Sequence, residues 1–413
     1  MNAISNTKTQ EFIDLEDRYG AHNYHPLPVV LERGQGIFVW DVEGKQYFDF
    51  LSAYSAVNQG HCHPKIVEAL HQQSQQLTLS CRAFYSSKLG AFEAFMCNMF
   101  CFDKLLPMNT GAEAVETALK LCRKWAYEKK GISENDAVII FATGNFHGRT
   151  LSIISASTDP QSRGGFGPYM PNFKIVEYNN VEALKDALKD KNVAGFVVEP
   201  IQGEAGIIIP DDNYLKDCYN LCKEHNVLFI ADEVQTGIAR TGKMLAVYHH
   251  NIQPDILILG KAVSGGVYPV SCVLANDDIM LCIKPGEHGS TFGGNPLACA
   301  VATAAMQVVV DEKLAENAQK MGEMMRNALK KISNPLIKEV RGRGLLNAIE
   351  INDSPESETA WNLCLTFAKN GLLAKPTHGN IIRLAPPLVI NENQILEAVK
   401  IIEKSINELT NSL

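Results

Sequence analysis

Val227-Leu-Phe-Ile-Ala-Asp-Glu-Val-Gln-Thr236 and Asp255-Ile-Leu-Ile-Leu-Gly-Lys261 are the stretches on which the reading of this chain turns. Each carries a short apolar run with no polar alternation, the pattern of a strand covered on both faces. Each also carries a charged side chain just beyond that run, Asp232 in one and Lys261 in the other. In an open parallel sheet, ligands bind beyond the carboxyl ends of the strands. Asp232 and Lys261 therefore share a ligand crevice if their strands lie close together. Residues 244–250 read as a helical crossover between them, with Pro254 ahead of the second strand.

Outward from this pair, apolar runs alternate with amphipathic segments. Strands are predicted at 104–109, 137–142, 174–178, 194–199 and 270–275, and helices at 110–130, 181–189 and 214–224. That alternation predicts βαβ units, hence an α/β fold whose large domain is a mainly parallel sheet flanked by helices. On the N-terminal side, residues 36–41 and 46–50 read as a hairpin about Glu43-Gly44. A polar leader and first helix precede it, and helices are expected at 64–76 and 87–100. On the C-terminal side come an apolar helix at 295–311 and a charged helix at 313–331. Strands at 337–341 and 344–351, a helix at 359–370, a strand at 381–384 and a helix at 392–409 then suggest a smaller α/β domain. The expected division is 1–60 as N-terminal segment and part of the small domain, 61–300 as large domain, and 301–413 as small domain.

Composition narrows the function classes. The chain has 413 residues, 46% hydrophobic content and a formal net charge of −8. An acidic balance argues against nucleic acid as a partner, because that needs a basic face. No run of about 18 apolar residues occurs, so no membrane span is expected. The first twenty residues are polar and acidic, without the apolar or Arg-rich pattern of a targeting segment, so the expected location is cytoplasmic. The eleven cysteines include no Cys-x-x-Cys pair, which fits a reducing compartment. Cys218, Cys222 and His225, or His61 and His63, invite a metal reading, but a closed zinc site needs a converging tetrahedral set. Buried thiols and no metal are expected instead.

An Asp and a Lys at neighbouring strand ends suit pyridoxal 5'-phosphate, which bonds a lysine amine as a Schiff base while a carboxylate keeps its pyridine nitrogen protonated. The small residues after Lys261, Ala-Val-Ser-Gly-Gly266, let a bulky ring approach the backbone. In Asn109-Thr-Gly-Ala-Glu-Ala114 a strand turns into a helix, and a helix N-terminus suits a phosphate. A Thr N-cap alone would also explain that junction. Arg149 and Arg383 are candidate carboxylate forks.

Together, Asp232-Glu-Val-Gln235, Gly260-Lys-Ala262 and Gly203-Glu-Ala-Gly206 resemble the class III, or omega-amino acid, aminotransferases. Gly20-Ala-His-Asn-Tyr-His-Pro26, Gly289-Ser-Thr-Phe-Gly-Gly-Asn295 and Arg383-Leu-Ala-Pro-Pro387 look like that family's blocks in the family's order. The ornithine-using members are the closer match. The resemblance runs from about residue 19 to 390 and implies fold type I, with a small domain drawn from both termini.

The resemblance also implies roles. Lys261 is the cofactor lysine and Asp232 the partner of the ring nitrogen. Gly111 and Ala112 give backbone N–H groups to the phosphate, Phe146 stacks on the ring, and Gln235 reaches its 3-oxygen. Ser290 and Thr291 reach the phosphate of a partner subunit, so the implied state is a homodimer with shared active sites, open to higher assembly. Tyr24 holds the α-amino group of ornithine, Arg149 its α-carboxylate, and Tyr54 lines the pocket. Glu204 pairs with Arg383 while ornithine is bound and frees it for 2-oxoglutarate. His147 is left without a role.

Two rivals remain. Sister activities on N-acetylornithine or γ-aminobutyrate would use the same Lys261 and Asp232. An ATPase is suggested by the Walker-B form of Val227–Glu233 and by Gly237-Ile-Ala-Arg-Thr-Gly-Lys243, which nearly spells a P-loop. Against it, Met244 stands where a Ser or Thr must meet Mg²⁺. Both motifs would also come from one strand and could not face each other across a nucleotide.

Overall fold

The computed structural model describes residues 7–411. Its largest sheet contains β1 (Lys104–Met108), β2 (Val138–Ala142), β3 (Phe173–Val176), β4 (Val193–Val198), β5 (Leu228–Asp232), β6 (Ile256–Leu259) and β7 (Ser271–Ala275). Their order is β1-β7-β6-β5-β4-β2-β3. Pairing from β6 through β5, β4 and β2 to β3 is parallel, and only β7 runs against its neighbours. Every residue of β4, β5, β6 and β7 is buried, which is why these segments read as unbroken apolar runs. The helix Gly111–Trp125 packs on this sheet through Val115, Ala118, Leu119 and Cys122. It sits close because Gly195 carries no side chain: a Cβ there would lie 2.6 Å from Cys122 Sγ.

Register places the chemistry. Asp232, the last residue of β5, pairs with Ile258 of β6, and Lys261 follows β6 with only Gly260 between. The two expected functional residues thus leave adjoining strands at the same sheet edge.

Two smaller sheets flank the large one. Leu31–Gln35, Phe38–Asp41 and Gln46–Asp49 form an antiparallel ribbon, joined in parallel by Leu372–Leu373. A ribbon from the N-terminal part of the chain and a strand from its C-terminal part therefore share a sheet. Ile337–Arg343, Leu346–Ile351, Ile381–Leu384 and Lys375–Thr377 form the other. Helices Leu314–Leu329, Thr359–Asn370 and Glu392–Thr410 pack together beside it.

Some expectations shift. The helix expected over 110–130 is α-helical to Trp125 and continues as a π turn over Ala126–Lys130. The crossover expected over 244–250 is a 3₁₀ turn, Ala246–His250. The strands expected at 337–341 and 344–351 are the arms of one hairpin in a wholly antiparallel sheet. Leu31–Gln35 escapes the sequence pattern because Leu31 is its one apolar residue and it is mostly exposed. The polar leader expected before the first helix lies mostly outside the described residues.

Candidate active site

The carboxyl ends of β4, β5 and β6 open onto a cavity of about 170 Å³, lined in part by Gly111, Phe146, Glu199, Glu204, Asp232 and Lys261. Gly260 is fully extended, and Lys261 takes φ 42°, in the left-handed region that L side chains rarely adopt. Such strain persists only where the surroundings impose it, and it marks functional positions. Burial holds the Lys261 amine below the ordinary lysine range, and Arg383 pushes the same way against Glu204 and Asp232.

Asp232 is 4% exposed. Its Oδ2 lies 2.6 Å from His147 Nδ1, and its Oδ1 accepts the Val234 N–H at 3.0 Å. Each carboxylate oxygen keeps a further lone pair for a ligand. Burial disfavours a charged His147, but the hydrogen bond and charge of Asp232, with Glu199 behind them, outweigh it and raise its pKa. Glu199 is buried and pushed up to about 7, chiefly by desolvation. It accepts the Phe146 N–H at 2.8 Å and the Gly203 N–H at 3.3 Å, tying the loops after β2 and β4 together.

At the other end of the cavity stands the N-terminus of Gly111–Trp125. Thr110 and Glu113 form a capping box there, and Glu113 also accepts the Asn109 N–H at 3.1 Å. Gly111 and Ala112, the first residues of the helix, line the cavity, and the capping bonds seen among the described residues do not use their N–H groups; a helix start of this kind holds an anion. Gly111 packs tightly against its neighbour, since a Cβ would meet Val234 Cγ1 at 3.0 Å.

A carboxylate–guanidinium pair closes the remaining side. Arg383, 3% exposed on Ile381–Leu384, gives its Nη1–H to Glu204 Oε1 at 2.6 Å. Burial works against the Glu204 charge, but Arg383 overcomes it and holds the carboxyl below its ordinary range. Gln235 Nε2 donates to the same Glu204 oxygen at 3.0 Å, and Gln235 Oε1 is buried with no partner among the described residues. Glycine at 203 leaves room for that amide, because a Cβ there would lie 1.5 Å from the same oxygen and would have to displace the Gln235 side chain. The Arg383 guanidinium lies over the Tyr54 ring at 5.1 Å.

The expected residues do not all converge. Lys261, Asp232, Gly111, Ala112, Phe146, Gln235 and Glu204 line the cavity, and Arg383 and Tyr54 join it through Glu204. Arg149 is exposed at the rim, over the Phe146 ring at 5.6 Å. Tyr24 is 70% exposed on the segment before the first strand, near enough to raise the Tyr54 pKa slightly, after burial and Glu204. Ser290 and Thr291 lie outside the cavity, and Ser290 Oγ accepts from Asn109 of its own chain at 2.9 Å. His147 and Glu199 are the residues that sequence reasoning left out. Glu199 ends an apolar strand just as Asp232 does, so the same signal could have found it.

Tested against pyridoxal 5'-phosphate, these residues fit. The helix N-terminus at Gly111 and Ala112 suits the phosphate, and the buried Asp232 carboxylate suits a protonated ring nitrogen. The unpartnered Gln235 Oε1 and the desolvated Lys261 amine supply the remaining polar contacts.

Comparison with known proteins agrees. A family model described as aminotransferase class-III matches residues 19–406. The mitochondrial ornithine aminotransferase of Drosophila melanogaster is 62% identical over 404 residues, covering 98% of this chain and 93% of that protein. A solved acetylornithine aminotransferase from Elizabethkingia anophelis is 61% identical with a TM-score of 0.90, covering 98% of this chain and all of that one. The ornithine aminotransferase of Toxoplasma gondii ME49 is 46% identical with a TM-score of 0.97, covering 99% and 97%.

Proposed function

The chain belongs to the class-III aminotransferases, fold type I enzymes that use pyridoxal phosphate, and on that premise we propose that its donor is L-ornithine. It transfers the δ-amino group to 2-oxoglutarate in alternating half-reactions. The products are glutamate 5-semialdehyde, which cyclises to pyrroline-5-carboxylate, and L-glutamate.

The observation that carries this reading is the Glu204–Arg383 pair at 2.6 Å. 2-Oxoglutarate must react beside its α-carboxylate, so it needs a cation close to Lys261, and Arg383 provides one. Ornithine must react at its far end. A bare guanidinium would draw its α-carboxylate inward and transfer the wrong amine. Glu204 masks that charge while ornithine is bound, and swings aside for the keto acid. Tyr24 and Arg149 then hold the distant α-amino and α-carboxylate groups, and Tyr54 shapes the wall between.

The cofactor, when bound, supplies an electrophilic carbon for amines and a cationic ring that takes up electron density. The chain does the rest. Lys261 Nζ, whose pKa desolvation lowers from the ordinary lysine range, takes the proton from the reacting carbon and returns it later. Asp232 holds a proton on the ring nitrogen, steadied by His147. Phe146 walls off water, and the N–H groups of Gly111 and Ala112 anchor the phosphate. Ser290 and Thr291 complete the partner's phosphate site in a homodimer. The free cysteines fit a reducing compartment, and the proposed location is the cytoplasm, which subcellular fractionation tests. No helix among the described residues is long and apolar enough to cross a membrane.

The name of the Elizabethkingia relative favours a second reading, N-acetylornithine as donor. Single-turnover spectra with ornithine, N-acetylornithine and γ-aminobutyrate separate these. Ornithine should convert the bound chromophore fastest, and a faster reaction with either alternative rejects the proposal.

A further inference from the structure

The stretch Gly237-Ile-Ala-Arg-Thr-Gly-Lys243, which plays no part in the reaction, ends at a second cavity. This one measures about 470 Å³ and shares no lining residue with the first. Glycines build it. A Cβ on Gly344 would lie 2.3 Å from Thr241 C, and one on Gly322 would lie 1.7 Å from Gly344 O. Three backbones therefore meet almost in contact: the loop after β5, the turn between Ile337–Arg343 and Leu346–Ile351, and the helix Leu314–Leu329. Leu345 N–H donates to Arg240 O at 3.0 Å across the junction. This contact brings Lys243, Arg343 and Arg326, one from each backbone, to a common wall.

Among the described residues, no carboxylate lines that wall. Arg343 has a single ion pair among the described residues, to Asp212 at 3.8 Å, and the Asp212 side chain is 94% exposed. Arg326 bonds through Nη1 to Gly344 O and Asn347 Oδ1, each at 2.7 Å. Among the described residues, Lys243 Nζ hydrogen-bonds only to the Tyr248 carbonyl, at 2.9 Å. Glu323, the carboxylate closest to Arg326 in charge effect, accepts from Gln319. His249 registers the excess: burial, then Arg343 and Lys243, hold its pKa down at about 4. Like charges gathered this way are costly without a counter-charge, and guanidinium forks match oxyanions.

We propose that this cavity binds a small multivalent oxyanion of the phosphate class between Lys243, Arg326 and Arg343. Its volume falls in the range of small-molecule sites, roughly 300–1,000 Å³. The ligand joins the loop that leaves Asp232 to the C-terminal sheet, and so clamps the junction of the two units.

The test is calorimetric titration of the holoenzyme with inorganic phosphate and, separately, with glycerol phosphate, against chloride at matched ionic strength. Saturable binding of one ion per chain is expected. The tighter of the two probes tells whether the free ion or an ester is the better ligand. Arg343→Gln combined with Lys243→Gln should weaken binding at least tenfold, while Arg149→Gln, at the other cavity, leaves it within twofold. Lys243→Gln alone changes an exposed side chain and serves if the double variant folds poorly; it should weaken binding at least threefold. Absence of saturable binding by both probes overturns the proposal. So does binding that survives the Lys243 and Arg343 changes, or that is lost in Arg149→Gln.

Discussion

Lys261 combines a strained backbone, a desolvated amine and a place one strand from Asp232. Left-handed strain at a non-glycine residue costs about 1–3 kcal/mol and is kept in Lys261→Ala, since alanine also carries a Cβ; the variant removes only a desolvated amine, so it should fold without loss of stability. It should still lose about 10³-fold in turnover, the scale of a general base. Borohydride reduction of the wild-type holoenzyme followed by peptide mapping should find the cofactor on Lys261, and a label on another lysine would sink the assignment. Asp232→Asn should slow proton removal severely while cofactor is retained. It also bears on pH. The folded His147 pKa lies above its ordinary 6.5 because Asp232 outweighs burial. That interaction is fully present below pH 6.5 and is lost as pH rises through the folded value. In Asp232→Asn, burial is opposed only by the smaller effect of Glu199, so the imidazole titration followed by NMR should move down from its wild-type position and the alkaline loss of stability should shrink. Glu204→Ala should act one-sidedly: the glutamate half-reaction survives or improves, while ornithine yields more α-amine transfer. Equal losses in both halves with an unchanged product would leave Glu204 as a structural partner of Arg383.

Elements differ in how openly the sequence announces them. β5 and β6 were legible because burial on both faces demands unbroken apolar runs, and the charges at their ends pointed to the crevice. Glu204 and Arg383 stand 179 positions apart, so no spacing could pair them; resemblance to a family did that. The turn at Ser52–Ser55 was not legible at all. Four consecutive residues there have positive φ, Tyr54 at 60° among them, without any glycine. Local preference opposes such a run, and tertiary bonds impose it: Ser52 Oγ–H donates to Ala385 O at 2.7 Å, and Asp49 accepts the Leu51 and Ser52 N–H groups. The glycine contacts between elements give a sharper test. Gly322→Ala would force a Cβ against Gly344 O and should cost about 1–3 kcal/mol, read from the denaturant midpoint. Gly90, in Leu89–Phe100 with open space around it, is the control, and Gly90→Ala should be neutral or stabilising by about 0.4–1 kcal/mol.

At the scale of the whole molecule, one chain carries the cavity, its lysine and its carboxylates, while Ser290 and Thr291 stay outside. If those two serve a partner, mixing Lys261→Ala subunits with a disabled Thr291 variant should restore activity, because hybrids place both lesions in one site and leave the other intact. Verified hybrids without activity would mean that each site is built from one chain. Tyr54 and Arg383 reach the active cavity through Glu204 from opposite parts of the chain, so substrate choice is set by segments far apart in sequence. The most direct measurement follows the nitrogen itself. Ornithine labelled with ¹⁵N only at its δ-amino group is incubated with the enzyme and 2-oxoglutarate, and the glutamate formed is weighed by mass spectrometry. The account predicts glutamate carrying the label; unlabelled glutamate, or turnover confined to N-acetylornithine, would contradict it.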